Sequence, residues 1–316
     1  MTKDFAFLTG SWQVDHRRLA KPLTGSDEWD TFTTPSLAWN YLDGGVSIDE
    51  TAMVEQGVSG MSIRLFEPDT QEWTVRWISS RDNVLQPPVR GRWDGQACRL
   101  SSKEDYEGRP IDVSYNWNLE GAKPQWDQAF SEDGGKTWET NWVMDLTQGD
   151  PTATDDPSLG VHLPKHTSDF DFLTGTWDIH HERLKERLVG CTEWIELDHV
   201  QHARTHFNGS ISVDENHMPG LYAGLTFRVF DPVAKEWAIY WIDGRTGQLG
   251  EPVLGSFKDG VGDFYGYDEH AGQRVLVRFR WTVESDVKAQ WEQAFSTDEG
   301  QTWEVNWRLF HTKRAE

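Results

Sequence analysis

The chain repeats itself once, and the repeat sets the fold before any other feature does. Asp4-Phe5-Ala6-Phe7-Leu8-Thr9-Gly10-Ser11-Trp12 returns as Asp169-Phe170-Asp171-Phe172-Leu173-Thr174-Gly175-Thr176-Trp177, an offset of 177 − 12 = 165 residues. The offset persists to the far end of each half, where Gln128-Ala129-Phe130-Ser131 returns as Gln293-Ala294-Phe295-Ser296 and Asn141-Trp142 as Asn306-Trp307. One domain has therefore been duplicated. The expected copies are residues 1–147 and 169–316, joined over 148–168 by a segment rich in Pro, Asp, Thr and Gly that has the composition of an exposed connector.

Within each copy the apolar period is two. Trp12, Val14 and His16 alternate with Gln13, Asp15 and Arg17, and Trp73, Val75 and Trp77 alternate with Thr74 and Arg76. Half-buried strands read this way. Asp43-Gly44-Gly45, Asp94-Gly95 and Asp133-Gly134-Gly135 supply tight hairpin turns between them. Eight to ten strands per copy, with no long amphipathic helix, make two tandem antiparallel β-barrels, each of a size that encloses one small ligand.

Composition removes several functions. Lys+Arg 30 against Asp+Glu 52 gives a net charge of −22, which repels nucleic acid and anionic membrane surfaces. Cys98 and Cys191 are too few for a disulfide scaffold or a thiolate metal site. No long apolar run or signal peptide is present, so a soluble, cytoplasmic protein is expected. No nucleotide, phosphate or metal motif occurs, and no cofactor is expected.

The residues Gly10-Ser11-Trp12 and Gly175-Thr176-Trp177, each opening a first strand, resemble the Gly-x-Trp signature of the calycin (lipocalin-like) superfamily. Trp291-Glu292-Gln293-Ala294-Phe295-Ser296 and the Thr-Trp-Glu strand after it are similar to uncharacterised bacterial calycin-like domains. The resemblance spans nearly all of each half. It implies a meandering barrel with a central cavity and brings no settled activity. Ser131–Trp138 and Ser296–Trp303 also resemble the Ser-x-Asp-x-Gly-x-Thr-Trp box of sialidase propellers, but propeller blades repeat it at roughly 40–50 residues, and here the spacing is 298 − 133 = 165. The box is read as a hairpin turn, its Asp accepting backbone N–H bonds and its Gly taking positive φ.

Strand alternation from the Gly-x-Trp tryptophans sends His16 and Arg18 inward in the first copy, and His181 and Arg183 in the second. Two readings fit: a solvated pair at the barrel rim, or a His/Arg pair receiving an anionic or carbonyl-bearing ligand. Asp49-Glu50 and Asp214-Glu215 are the duplicated acids, and only one of each can point inward. Glu215 is the expected acid or base, unless it is an ordinary ion-pair member. Arg64 with Arg228, and Arg81 with Arg245, are either pocket donors or surface ion pairs.

The second copy holds His180, His181, His199, His202, His206, His217, His270 and His311 against His16 alone in the first, and it carries Tyr265 and Tyr267. The ligand site is therefore expected mainly there. His181, Arg183, Glu215 and Tyr240 are the candidate catalytic groups, and Trp177, Arg228, Trp237, Trp241, Arg245, Tyr265 and Tyr267, with His16 and Arg18, the candidate binding groups. His199, His202 and His206 do not share one strand face, so they are read as solvated histidines, not as a metal site. The expected function is binding of a small, partly apolar or aromatic molecule, with or without cofactor-independent acid–base chemistry such as cyclisation, isomerisation or elimination. A non-catalytic carrier or sensor is the alternative. The oligomeric state is left open.

Overall fold

A computed structural model describes residues 4–315 as two closed barrels of ten antiparallel strands each. The first contains β1 (Gly10–Leu19), β2 (Trp29–Tyr41), β3 (Val46–Met53), β4 (Val58–Glu67), β5 (Glu72–Ser79), β6 (Val89–Asp94), β7 (Ala97–Tyr106), β8 (Arg109–Asn118), β9 (Gln125–Ser131) and β10 (Glu139–Gln148). The second contains β11 (Gly175–Leu184), β12 (Trp194–His206), β13 (Ile211–Met218), β14 (Tyr222–Asp231), β15 (Glu236–Asp243), β16 (Val253–Lys258), β17 (Val261–His270), β18 (Gln273–Ser285), β19 (Lys288–Ser296) and β20 (Glu304–Lys313). Every strand pairs with its neighbours in the chain, and the first strand closes on the last: Trp12 is opposite Gln148, and Trp177 opposite Lys313. Closure leaves no free sheet edge to template aggregation. No helix among the described residues is long and apolar enough to cross a membrane.

The repeated opening motif is a plug. Phe5 and Phe170 precede 3₁₀ turns at Ala6–Leu8 and Asp171–Leu173, and both rings are fully buried, edge-on to Trp73 (4.7 Å) and Trp237 (4.8 Å). Each turn is tied down by indole N–H donors: Trp12 to Leu8 O (2.8 Å) and Trp177 to Leu173 O (2.7 Å), Trp73 to Asp4 (3.0 Å) and Trp237 to Asp169 (3.0 Å). A buried indole must place its N–H, and the turn supplies the acceptors. Gly10 and Gly175 take φ of +94° and +117° where the plug becomes the first strand, and a Cβ on Gly10 would lie 2.4 Å from Asp150 O. Trp177 and Trp237, expected as ligand contacts, are thus fully buried parts of the plug and core.

The Ser-x-Asp boxes are the β9–β10 and β19–β20 hairpin turns. Asp133 and Asp298 each accept the Thr N–H four residues on (2.9 Å in both), while Ser131 and Ser296 accept the glycine N–H of Gly135 and Gly300 (2.9 and 2.8 Å). These hydrogen bonds hold both carboxylates down at about 2. They are bonded as turns are bonded.

The chain divides into two compact units after Leu163. Most residues of the connector are exposed, and a few points of it are hydrogen-bonded to the first barrel. Gly149 N–H donates to Ser11 O (2.8 Å), Trp39 Nε1–H to Thr154 O (2.9 Å), His162 Nε2 bonds Val58 O (3.1 Å), and Leu163 is buried. The Trp39 indole and the barrel's open backbone groups recruit a segment that lacks apolar periodicity. Limited proteolysis is expected to cut first within 164–168; a first cut within 150–162 would contradict this packing.

Candidate functional site

The two barrel interiors have diverged from one plan. Both keep a buried ion pair, Arg64–Asp49 and Arg228–Asp214, the latter with Arg228 4 % and Asp214 0 % exposed in the side chain. Both guanidiniums lie over the plug, Arg64 5.2 Å from the Phe5 ring and Arg228 4.9 Å from Phe170. Both also keep the inward histidine. His16 and His181 are buried, and each Nδ1 accepts an indole N–H, from Trp142 (3.1 Å) and Trp307 (3.0 Å). An indole can only donate, so each neutral imidazole carries its proton on Nε2.

What Nε2 meets differs. In the first barrel it donates to Thr34 Oγ1 (2.8 Å). In the second, position 199 is histidine, so His181 Nε2–H donates to His199 Nδ1 (2.8 Å) and His199 Nε2–H to Asn216 Oδ1 (3.2 Å). Asn216 also accepts from Gln201 (2.9 Å) and donates to Asp214 (2.7 Å). One directed chain of hydrogen bonds therefore runs from Trp307 to the buried ion pair. Burial pushes His16 down to about 4; burial and then the neighbouring His199 push His181 down to about 3; burial pushes His311 down to about 3 and lowers His199. All four are neutral at pH 7.

The same aligned positions face the interior of each barrel. At aligned positions the first barrel has Thr34, Ser36, Thr51 and Leu146, and the second has His199, Gln201, Asn216 and His311, all four buried. The second interior is more polar there, and at two of the positions, His199 for Thr34 and Gln201 for Ser36, the side chain is also larger. The first barrel has a cavity of about 670 Å³, lined by Trp12, Val14, Leu100, Trp117 and Trp126 and by the polar groups of His16, Ser36, Asp49, Thr51, Arg64 and Gln128. Its lining extends to the exposed Lys103 and Asp105, so it opens to solvent. Arg64 Nε is buried there without a hydrogen-bond partner.

Sequence reasoning favoured the second barrel because it counted histidines and tyrosines. Tyr265 and Tyr267 lie on the outside, 43 % and 45 % exposed, because Phe264 takes the inward position on β17 and the tyrosines face the other way; Tyr267 bonds Glu299 (2.7 Å). Tyr240, between the buried Trp237 and Ile239-facing side and Trp241, likewise has outward parity on β15. Glu215 pairs with the exposed His217 (3.2 Å), and Asp214 is the acid that turns inward. Arg245 is exposed, bonded to Asp243 and 4.3 Å from the Tyr222 ring. Trp241 lies across Gly224, where a Cβ would come within 2.0 Å of its ring. Arg18 is exposed and stacks 5.0 Å from Trp142, while Arg183 is half-buried 5.1 Å from Trp307. Alternation thus placed His16 and His181 inside, and Arg228, left open between pocket donor and surface ion pair, is in a buried pair; alternation missed Asp214, His199, Gln201 and Asn216, and it stopped short of Arg187 beyond the end of β11. His202 faces out, bonded to Thr176 (3.1 Å). Among the described residues no group of three His, Cys, Asp or Glu is placed to hold a metal ion.

No family model matches the chain, and no curated protein does. Among solved structures it is similar to a protein of unknown function from the DUF3598 family of Nostoc punctiforme, at 11 % identity over all of both chains with a TM-score of 0.28. It is also similar to transferrin binding protein B of Haemophilus parasuis (a Trp-to-Ala mutant; 7 % identity, 96 % of this chain and 76 % of that one, TM-score 0.21) and of Neisseria meningitidis (8 %, 97 % and 76 %, TM-score 0.20). Likenesses this distant transfer no function.

Proposed function

We propose that the chain is a tandem calycin-like protein whose first barrel binds a small, partly aromatic molecule reversibly. The observation that carries this reading is the solvent-connected 670 Å³ cavity, which pairs tryptophan walls with a few convergent polar groups, the usual make-up of a small-molecule site. Arg64 Nε, buried and unpartnered, supports a ligand with at least one hydrogen-bond acceptor. Binding is favoured over acid–base turnover because His16 has both ring nitrogens engaged and is held neutral at about 4.

The second barrel provides the test. Ser36→Gln with Thr51→Asn places on the cavity wall the pair that bond each other as Gln201 and Asn216 (2.9 Å) and narrows the cavity with a longer, more polar side chain. A neutral aromatic probe, 1-naphthol, is expected to bind the wild-type chain saturably and the double variant at least about tenfold more weakly. Equal affinities, with folding intact, would sink the reading.

A further inference from the structure

The second barrel has a feature that the first lacks, and it lies apart from the hollow interior. Beyond the end of β11 the chain turns at Leu188 (φ +62°), whose N–H is held by both oxygens of Glu304 (2.8 and 3.1 Å). The first barrel makes the same turn at Leu23 (φ +60°), held by Glu139 (2.7 Å). The residue before the turn is Pro22 in the first barrel and Arg187 in the second. Pinning the turn sets Arg187 against Trp307 (5.5 Å) and Phe295 (5.6 Å), on the tryptophan that Arg183 also covers (5.1 Å).

Neither arginine hydrogen-bonds or ion-pairs with any described residue. Arg183 Nε and Arg187 Nε and Nη2 are buried with no partner. Glu304 commits its carboxylate to the Leu188 N–H, and Asp268 and Tyr222 act on Arg187 only through space. In a chain with 22 excess negative charges, two guanidiniums on one tryptophan with no ion pair of their own run against the composition. Burial and then the charge of Arg183 push Arg187 down to about 10, the cost of burying one cation within reach of another.

We propose that Arg183 and Arg187, stacked on Trp307, form a binding site for a small oxyanion, a carboxylate or a phosphate. A guanidinium offers a planar fork of donors that such an anion matches bidentately, and one anion between two guanidiniums satisfies the buried N–H groups and relieves their repulsion together. The site is specific to the second barrel, since the first has only the exposed Arg18 on Trp142. Because Trp307 donates its indole N–H to His181, occupancy is reported to the buried histidine chain at its first link.

The test uses the full chain, labelled with nitrogen-15, and two probes, potassium phosphate and sodium benzoate, at constant ionic strength. At least one anion is expected to shift the Trp307 indole N–H resonance saturably, the signal being assigned by its loss in Trp307→Phe. Arg183→Ala and Arg187→Ala are each expected to weaken that binding by at least about tenfold, and Arg18→Ala to leave it unchanged. Arg187→Ala should fold, because the first barrel carries proline at that position; Arg187→Gln gives a second uncharged variant. Saturation by benzoate alone assigns a carboxylate, by phosphate alone a phosphate, and by both an oxyanion site open to either. No saturable shift with either anion, or wild-type affinity in the folded Arg187 variants, would overturn the proposal.

Discussion

Asp214→Ala is expected to destabilise the second barrel by about 3–5 kcal/mol, the cost of leaving one member of a buried ion pair without the other. Arg228 is 4 % exposed in the side chain and has no water to turn to. Its remaining neighbours, Ser212 Oγ at 3.4 Å and the faces of Phe170 and Trp281, do not replace a carboxylate. Asn216 loses its acceptor as well (2.7 Å), which loosens the chain that holds His199 and His181. Asp214→Leu with Arg228→Met should cost less than Asp214→Ala alone, because no charge is stranded. Urea unfolding followed by hydrogen exchange of second-barrel peptides measures both. A loss under about 1 kcal/mol for Asp214→Ala would show that the pair is hydrated.

Acid should open the second barrel before the first. His181, His199 and His311 are all depressed in the folded chain, His181 and His311 to about 3, against about 6.5 for a solvated histidine. Between those values the unfolded chain binds protons that the folded one refuses, so the stability these groups supply is complete above about pH 6.5 and is lost as pH falls toward 3. Each such histidine contributes up to about 1.4 kcal/mol per pH unit in that window. The first barrel has only His16, depressed to about 4. The groups around the second-barrel histidines do not reverse the sign: Asp214 and Asp198 favour the charged forms, but burial is the larger influence on each ring, and Arg228, His180 and His217 oppose protonation. Hydrogen exchange between pH 7 and 4 should show peptides of 169–315 losing protection first, with His199→Thr, the first barrel's residue, moving that loss to lower pH. Simultaneous loss in both barrels, or first-barrel loss ahead of it, would contradict the account.

Periodicity made the architecture legible. The 165-residue offset and the alternation around Trp12 and Trp177 give two barrels and send His16 and His181 inward, because one strand face is a local property. The contents of the interior depend on what stands across the sheet. His199 meets His181 only because Ile179 pairs with His199 in the β11–β12 register, and no spacing within one strand reveals that. Whether Asp214 or Glu215 faces in is likewise a matter of register. Part of the contrast between the two interiors was within reach of the sequence, since Thr34/His199 and Ser36/Gln201 differ in volume, and Leu146/His311 in polarity, at aligned positions. Counting reactive side chains pointed to the second barrel; the cavity described above lies in the first. Arg187 had no signal, lying past the last periodic residue of its strand.

The central claim is that the first barrel's cavity is the small-molecule site, while the second barrel's interior carries the buried histidine chain. Indole N–H resonances report on each barrel separately, from Trp12, Trp117, Trp126 and Trp142 around the first cavity and Trp177, Trp281, Trp291 and Trp307 in the second. Titration of the full chain with 1-naphthol, which carries no charge for the arginines to hold, should shift the first set saturably and leave the second in place. Saturable shifts confined to the second set, or none in the first, would contradict the account.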